Sequence, residues 1–198
     1  TVAGILSLQL FSNLYNDYFD VKDGTDGLNE EYFNVGLNDK LLEGAQVSGG
    51  SRAIELGLTT LEKTKSLGNK MLIVGLVFLV SVVSLSYYNT GSLNNTKYIT
   101  IIALLGGLLG YFYTASPIKL VSRYGLGELA IFLTFGPLLT LGSGYAISVN
   151  TIEFLSTEFL NLILLGIPTG LLTTNILFIN QFPDYKSDKI AKKNNLVV

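Results

Sequence analysis

The stretch NKMLIVGLVFLVSVVSLSYY, residues 69–88, holds one charge at its start and then no other for the rest of its length. About 20 apolar residues carry an α-helix across a bilayer's hydrocarbon core, where every backbone N–H and C=O must be satisfied within the segment. The same reading extends to Tyr98–Thr114, to about Gly127–Val149 and to about Phe159–Phe182, with residues 1–15 supplying part of a fifth span. The composition agrees. Of 198 residues, 48% are hydrophobic and only 14% charged, against about a quarter charged in soluble domains. The expected fold is therefore an all-α, polytopic transmembrane helix bundle. Gly106, Gly107 and Gly110 fit close helix packing, and Pro137 and Pro168 fit kinks that neighbouring helices can tolerate.

Loop charge tests the span count. If the spans alternate, the 16–70 loop, the 115–126 loop and the tail from 183 share one side, and they hold every basic residue except Lys97. Cytoplasmic loops are enriched in Lys and Arg, so the bias places these loops in the cytoplasm and predicts an integral protein of a cell inner membrane. The lipid bilayer is thus the first expected partner. A net charge of −2 with no like-charge block gives no reason to expect nucleic acid.

The chain has no cysteine and no histidine. Disulfides, the usual zinc sites and Ser-His nucleophile pairs are excluded, which leaves carboxylates, amides, tyrosines and basic residues for any chemistry. Two acidic clusters fall on the basic side. NLYNDYFD (13–20) and INQFPDYKSD (179–188) each carry an asparagine four residues before an aspartate and another acid close by. On a continuing helix, Asn13, Asn16, Asp17 and Asp20 share a face, and so do Asn180, Asp184 and Asp188. Clustered carboxylates repel unless a cation lies between them. Oxygen-only ligands suit Mg²⁺, with Mn²⁺ possible, and magnesium completes its shell with water and substrate phosphates. Arg52, Lys119, Arg123, Lys192 and Lys193 are available to neutralise phosphate. Helix capping by Asp and Asn is the plain alternative for either cluster alone. Tyr87, Tyr88, Tyr111 and Tyr113 fit an aromatic belt, and Glu128 a helix N-terminal acid or a site residue.

These motifs resemble the UbiA superfamily of intramembrane prenyltransferases. NDYFDVKDGTD (16–26) is similar to its first aspartate motif and DYKSD (184–188) to its second. YTASPIKLVSRYGLGELAIFLTFGP (113–137) and GGSRAIELGLTT (49–60) resemble the 1,4-dihydroxy-2-naphthoate polyprenyltransferase (MenA-like) branch. The resemblance implies a nine-helix bundle of which this chain holds about five helices, a single prenyltransferase domain over 1–198 truncated at both ends. It implies Mg²⁺-dependent transfer of a polyprenyl group from prenyl diphosphate to an aromatic acceptor, in menaquinone or phylloquinone biosynthesis. Asn16, Asp17, Asp20, Asp26, Asp184 and Asp188 match metal positions, with Asp23 competing with Asp26 to complete the first motif. Arg52, Lys119, Arg123 and Asn180 match diphosphate positions, and Asp20, Asp188, Lys119 and Tyr113 catalytic ones. Other acceptors (homogentisate, 4-hydroxybenzoate, a chlorophyllide, a glycerol-phosphate lipid) stay open, as does a cation transporter using the same acids. Transporter acids belong near the membrane midplane, however, and these sit at span ends.

Overall fold

The computed structural model describes residues 1–22, 51, 53, 54, 57–190 and 192–198, with the backbone alone at 186 and 187. Asp23, Asp26, Arg52 and the 27–48 loop lie outside the described residues.

Among the described residues five long helices form in the expected order: α1 Val2–Lys22, α2 Leu61–Thr90, α3 Leu93–Phe112, α4 Leu126–Ile147 and α5 Thr157–Gln181, followed by a short α6, Tyr185–Ile190. Three of them, α2, α4 and α5, are long and apolar enough to cross a membrane, and the chain is an all-α integral membrane bundle. The expected second span falls within α3, which is shorter, and Asn94, Asn95 and Lys97 make its first turns polar. That helix therefore does not match the other three in composition. α2 is 30 residues long, about 45 Å, so its first turns extend beyond the hydrocarbon. Thr60 caps it by accepting from the Lys63 N–H at 3.2 Å. It ends at Gly91, whose φ of 61° lets its N–H return to the Tyr87 carbonyl at 2.8 Å. Ser92 then starts α3 at once by accepting from the Asn95 N–H.

Small residues set the packing, as expected where lipid offers no hydrophobic drive between helices. α1 and α2 run antiparallel: Gly68 lies under the Tyr15 ring, Gly75 under Leu8, and Gly4 beside Phe78. α1 and α3 run parallel, with the Ser12 hydroxyl donating to the Gly110 carbonyl at 3.3 Å. Gly110 thus meets the close-packing expectation, whereas Gly106 and Gly107 do not. A Cβ at either would meet no atom within 4 Å. Pro137 does disturb its helix: α4 widens into a π turn at Thr134–Leu138, and Gly136 takes a non-helical φ of −110° and ψ of −107°. The Thr140 hydroxyl donates to the Gly136 and Pro137 carbonyls, both at 3.2 Å, so the disrupted ladder keeps partners. Pro168, in contrast, sits inside an unbroken α5.

The helix directions put the acidic and basic ends together and leave Lys97 at the opposite end. That far end is tied by Asn95, which is fully buried. Its amide donates to the Asn150 carbonyl at 2.9 Å and accepts from the Ile152 N–H at 3.1 Å, over a core of Ile99, Leu141, Tyr145, Ile152 and Phe159. Asn95→Ala leaves two backbone groups without those partners. It is expected to cost about 2 kcal/mol or more, read as a lower thermal midpoint in detergent.

Candidate active site

Among the described residues, the C-terminal ends of α1, α3 and α5 and the N-terminal ends of α2 and α4 lie at the acidic end, with the 113–125 segment and the segment after α6. α1 continues as one helix through its polar boundary, so Asn16, Asp17 and Asp20 are held on a rigid element, as the spacing predicts. The second motif differs from expectation. α5 stops at Gln181, Phe182 to Asp184 form a turn around Pro183, and α6 starts afresh at Tyr185. Asn180, Asp184 and Asp188 consequently do not line one continuous helix. Asn180 is exposed, while its neighbour Gln181 is buried and donates to Glu128 Oε1 at 2.7 Å.

The two motifs nevertheless meet, through the segment after α6. Lys193 Nζ lies 3.1 Å from Asp20 Oδ1. Lys193 also donates its backbone N–H to the Asp188 carbonyl at 2.9 Å. Asp188 is buried, and its Oδ2 accepts from Asn195 Nδ2 at 2.8 Å. Asn16 Oδ1 accepts from the Thr114 hydroxyl at 2.8 Å, and Asp17 accepts from the Ser51 hydroxyl. Glu128 is buried at the start of α4, accepting from Gln181 and from the Leu196 N–H. Sequence reasoning left Glu128 open and did not find Gln181 or Asn195, amides with no motif around them.

Tyr113 and Lys119 both belong to this end. Tyr113 is buried directly after α3. Lys119 is half-buried with a left-handed φ of 45°, and it opens the 3₁₀ turn Leu120–Ser122. Tyr124 and Lys192, in the neighbouring loops, are also left-handed. Such strain in non-glycine residues gathers where the surroundings over-determine the backbone, often at functional sites. Arg123 is not brought onto the acids: its exposed guanidinium donates to the Ile118 and Pro117 carbonyls at 2.6 and 3.2 Å and braces its own loop.

Burial is the main reason the Asp188 carboxyl rises from 3.8 to about 6. Asp184 and Asp20 push the same way, and Lys193 and the Asn195 hydrogen bond oppose them. The folded protein thus holds the Asp188 proton more tightly than the unfolded chain. The stability this gives is present in full below about pH 4 and lost as pH rises through about 6. In metal-free protein the thermal midpoint is expected to fall across that window, and Asp188→Asn is expected to flatten the fall. An unchanged slope in the variant would assign the effect to another group.

The donor set is all oxygen, which suits Mg²⁺ or Mn²⁺. Among the described residues no three acids are grouped to hold an ion alone. Magnesium needs only one or two carboxylates when water and phosphate complete its shell, so the residues fit an ion shared with a diphosphate. Beside them opens an apolar cavity of about 490 Å³ between α1, α2, α3 and α4. Asn16 and Tyr113 line it at the acidic end, and Val82 and Ala146 line it toward the far end. Gly106 and Gly107 face this cavity, which accounts for the open space around them.

Carboxylates and lysines thus gather at one end of an all-α membrane bundle, the end at which Asn16 and Tyr113 line the apolar cavity. The chain belongs to the UbiA prenyltransferase family, which matches residues 61–198. It is 28% identical to the 1,4-dihydroxy-2-naphthoate octaprenyltransferase of Haemophilus influenzae over 191 residues, 96% of this chain and 53% of the relative. The Escherichia coli enzyme of the same name is 28% identical over 99% of this chain and 54% of its own length. A UbiA prenyltransferase domain-containing protein of Dictyostelium discoideum is 26% identical over 96% of this chain and 49% of its own. The chain therefore spans about half the length of the curated relatives it matches. No solved structure matches it significantly.

Proposed function

We propose that the protein transfers a polyprenyl group from prenyl diphosphate to an aromatic ring, with 1,4-dihydroxy-2-naphthoate as the acceptor and Mg²⁺ as the cofactor. The observation that carries this reading is that Asp20, paired with Lys193, and Asp188 lie at the end of the bundle where Asn16 and Tyr113 line the apolar cavity. A prenyl tail fits the cavity and its diphosphate reaches the polar end. The names of the two bacterial relatives favour the naphthoate acceptor over the other rings.

The task is to separate diphosphate from an allylic carbon. The C–O bond breaks with its electron pair on the diphosphate, and the ring attacks the allylic cation to form the C–C bond. With this acceptor, the attacked carbon then loses its carboxylate as carbon dioxide. When bound, magnesium supplies positive charge opposite the leaving group. Asp20 and Asp188 would hold it, with Asn16, Asp17, Asp184 and Asp26 as the remaining oxygen groups of the two motifs. Lys119, Lys193 and Arg52 neutralise the remaining phosphate charge. Tyr113, buried where it lines the acidic end of the cavity, would help keep water from the cation and so limit its hydrolysis. No covalent nucleophile is required, consistent with a chain lacking both Cys and His. The basic end faces the cytoplasm of a cell inner membrane in this reading.

The test uses membranes containing the full-length protein, labelled prenyl diphosphate, Mg²⁺ and a panel of aromatic acceptors. Labelled product from dihydroxynaphthoate is expected. Product from another ring alone would replace the acceptor, and no product from any would overturn the class of reaction.

A further inference from the structure

Asn195 lies outside both aspartate motifs, yet it is buried at 5% exposure in direct contact with the second. Its amide is committed at both ends. Oδ1 accepts from the backbone N–H groups of Val197 and Val198, both at 3.0 Å. That fixes which end is nitrogen, because a flipped amide would set its donors against two donors. Nδ2 is thereby directed at Asp188 Oδ2, 2.8 Å away. The backbone around Asn195 is anchored on both sides. Tyr124 N–H donates to the Asn194 carbonyl, Leu196 N–H donates to Glu128 Oε1 at 3.2 Å, and Lys193 N–H donates to the Asp188 carbonyl at 2.9 Å. The donor is therefore held by groups on α4, on the 115–125 loop and on α6 rather than by a free tail.

We propose that Asn195 is a positioning residue for the second aspartate motif: it takes one carboxylate oxygen of Asp188 and so presents the other to the metal–diphosphate head. This role presupposes the metal–diphosphate reading proposed above. The physical reason is orientational. Asp188 sits on a six-residue helix that starts afresh after the turn ending α5, so its own element supplies little rigidity. A carboxylate that must meet an ion in one geometry needs an outside group to fix its rotamer, and partners behind a ligand commonly set metal affinity by 10–100-fold. The Asn195 amide is committed to Asp188 and to the Val197 and Val198 backbone, so its loss is read in metal binding rather than in acceptor recognition.

The experiment measures Mn²⁺ binding to full-length protein in detergent by electron paramagnetic resonance, with a non-hydrolysable prenyl diphosphate analogue present, together with the metal dependence of transfer. Asn195→Ala is expected to weaken Mn²⁺ binding about tenfold and to raise the half-saturating metal concentration in step, leaving KM for the aromatic acceptor unchanged. Leu196→Ala is the structural control, since its side chain lies largely exposed against Gly125 and belongs to neither aspartate motif. It is expected to leave metal binding alone. Should Asn195→Ala fail to fold, Asn195→Ser must weaken Mn²⁺ binding in the same direction, its shorter hydroxyl being unable to reach both partners. Wild-type metal binding in a folded Asn195 variant, or an equal shift in Leu196→Ala, would overturn the positioning role alone. A wild-type protein that binds no Mn²⁺ with the analogue would overturn the metal–diphosphate reading as well.

Discussion

Asp188→Ala in the full-length protein is expected to lower prenyl transfer by about a hundredfold or more, with Asp20→Ala close behind. In the proposed reaction both carboxylates would hold the metal that offsets negative charge developing on the leaving diphosphate, and both are pre-oriented, one by Asn195 and the other by Lys193. Asp188→Asn separates charge from shape. Its amide oxygen can still accept from Asn195 Nδ2, so packing is kept while the negative charge is lost. The rate should fall nearly as far as in Asp188→Ala, with a smaller change in thermal midpoint. Asp17→Ala should be milder, since its partner is the Ser51 hydroxyl, whereas Lys193 ties Asp20 to the segment of the second motif. Initial rates with labelled donor at saturating Mg²⁺ decide the order. A near wild-type rate in Asp188→Asn would remove this carboxylate from the chemistry.

The order of helices and the meeting of two acidic motifs at one end were legible in the sequence because both rest on local periodicity. Hydropathy marks a span whatever its neighbours are, and a spacing of three or four keeps Asn16, Asp17 and Asp20 on one face as long as the helix continues. The same rule failed at the second motif, where the spacing was extended through Pro183. Proline lacks the N–H that would continue the ladder, α5 ends at Gln181, and the buried amide is Gln181 instead of Asn180. Asn195 could not be read at all, since its role depends on contacts of the segment after α6 with Asp188, Tyr124 and Glu128 that have no local signal. Gly106 and Gly107 show the limit of composition: glycine in a membrane helix suits close packing and a cavity wall equally, and only Gly110 has a neighbour, at Ser12. Arg123 carried a charge that matched phosphate, but loop carbonyls closer in sequence compete for its guanidinium.

Gly166→Leu is expected to be the most damaging substitution in the bundle. A Cβ at Gly166 would lie 2.5 Å from Thr140 Oγ1 and 2.6 Å from the carbonyl carbon of Gly136, and one at Gly170 would lie 2.6 Å from the Phe132 carbonyl oxygen. These neighbours are mostly backbone, so no rotamer change relieves the clash and α4 must move away from α5. The separation would also break the hydrogen bonds from Thr140 that support the π turn. A cost of about 3 kcal/mol follows for overpacking against an unyielding wall, read as a large drop in thermal midpoint and poor accumulation in membranes. Gly107→Ala is the contrasting case. Its Cβ meets no atom within 4 Å, and alanine is favoured over glycine in a helix by roughly 1 kcal/mol, so stability should hold or rise. Because Thr134 and Phe135 of the π turn line the cavity, the milder Gly166→Ala should reach function too. It would shift the cavity wall and weaken donor binding while the acidic end keeps its residues. A wild-type midpoint in Gly166→Leu would mean that α4 and α5 do not touch through their backbones, and the π turn would then need another support.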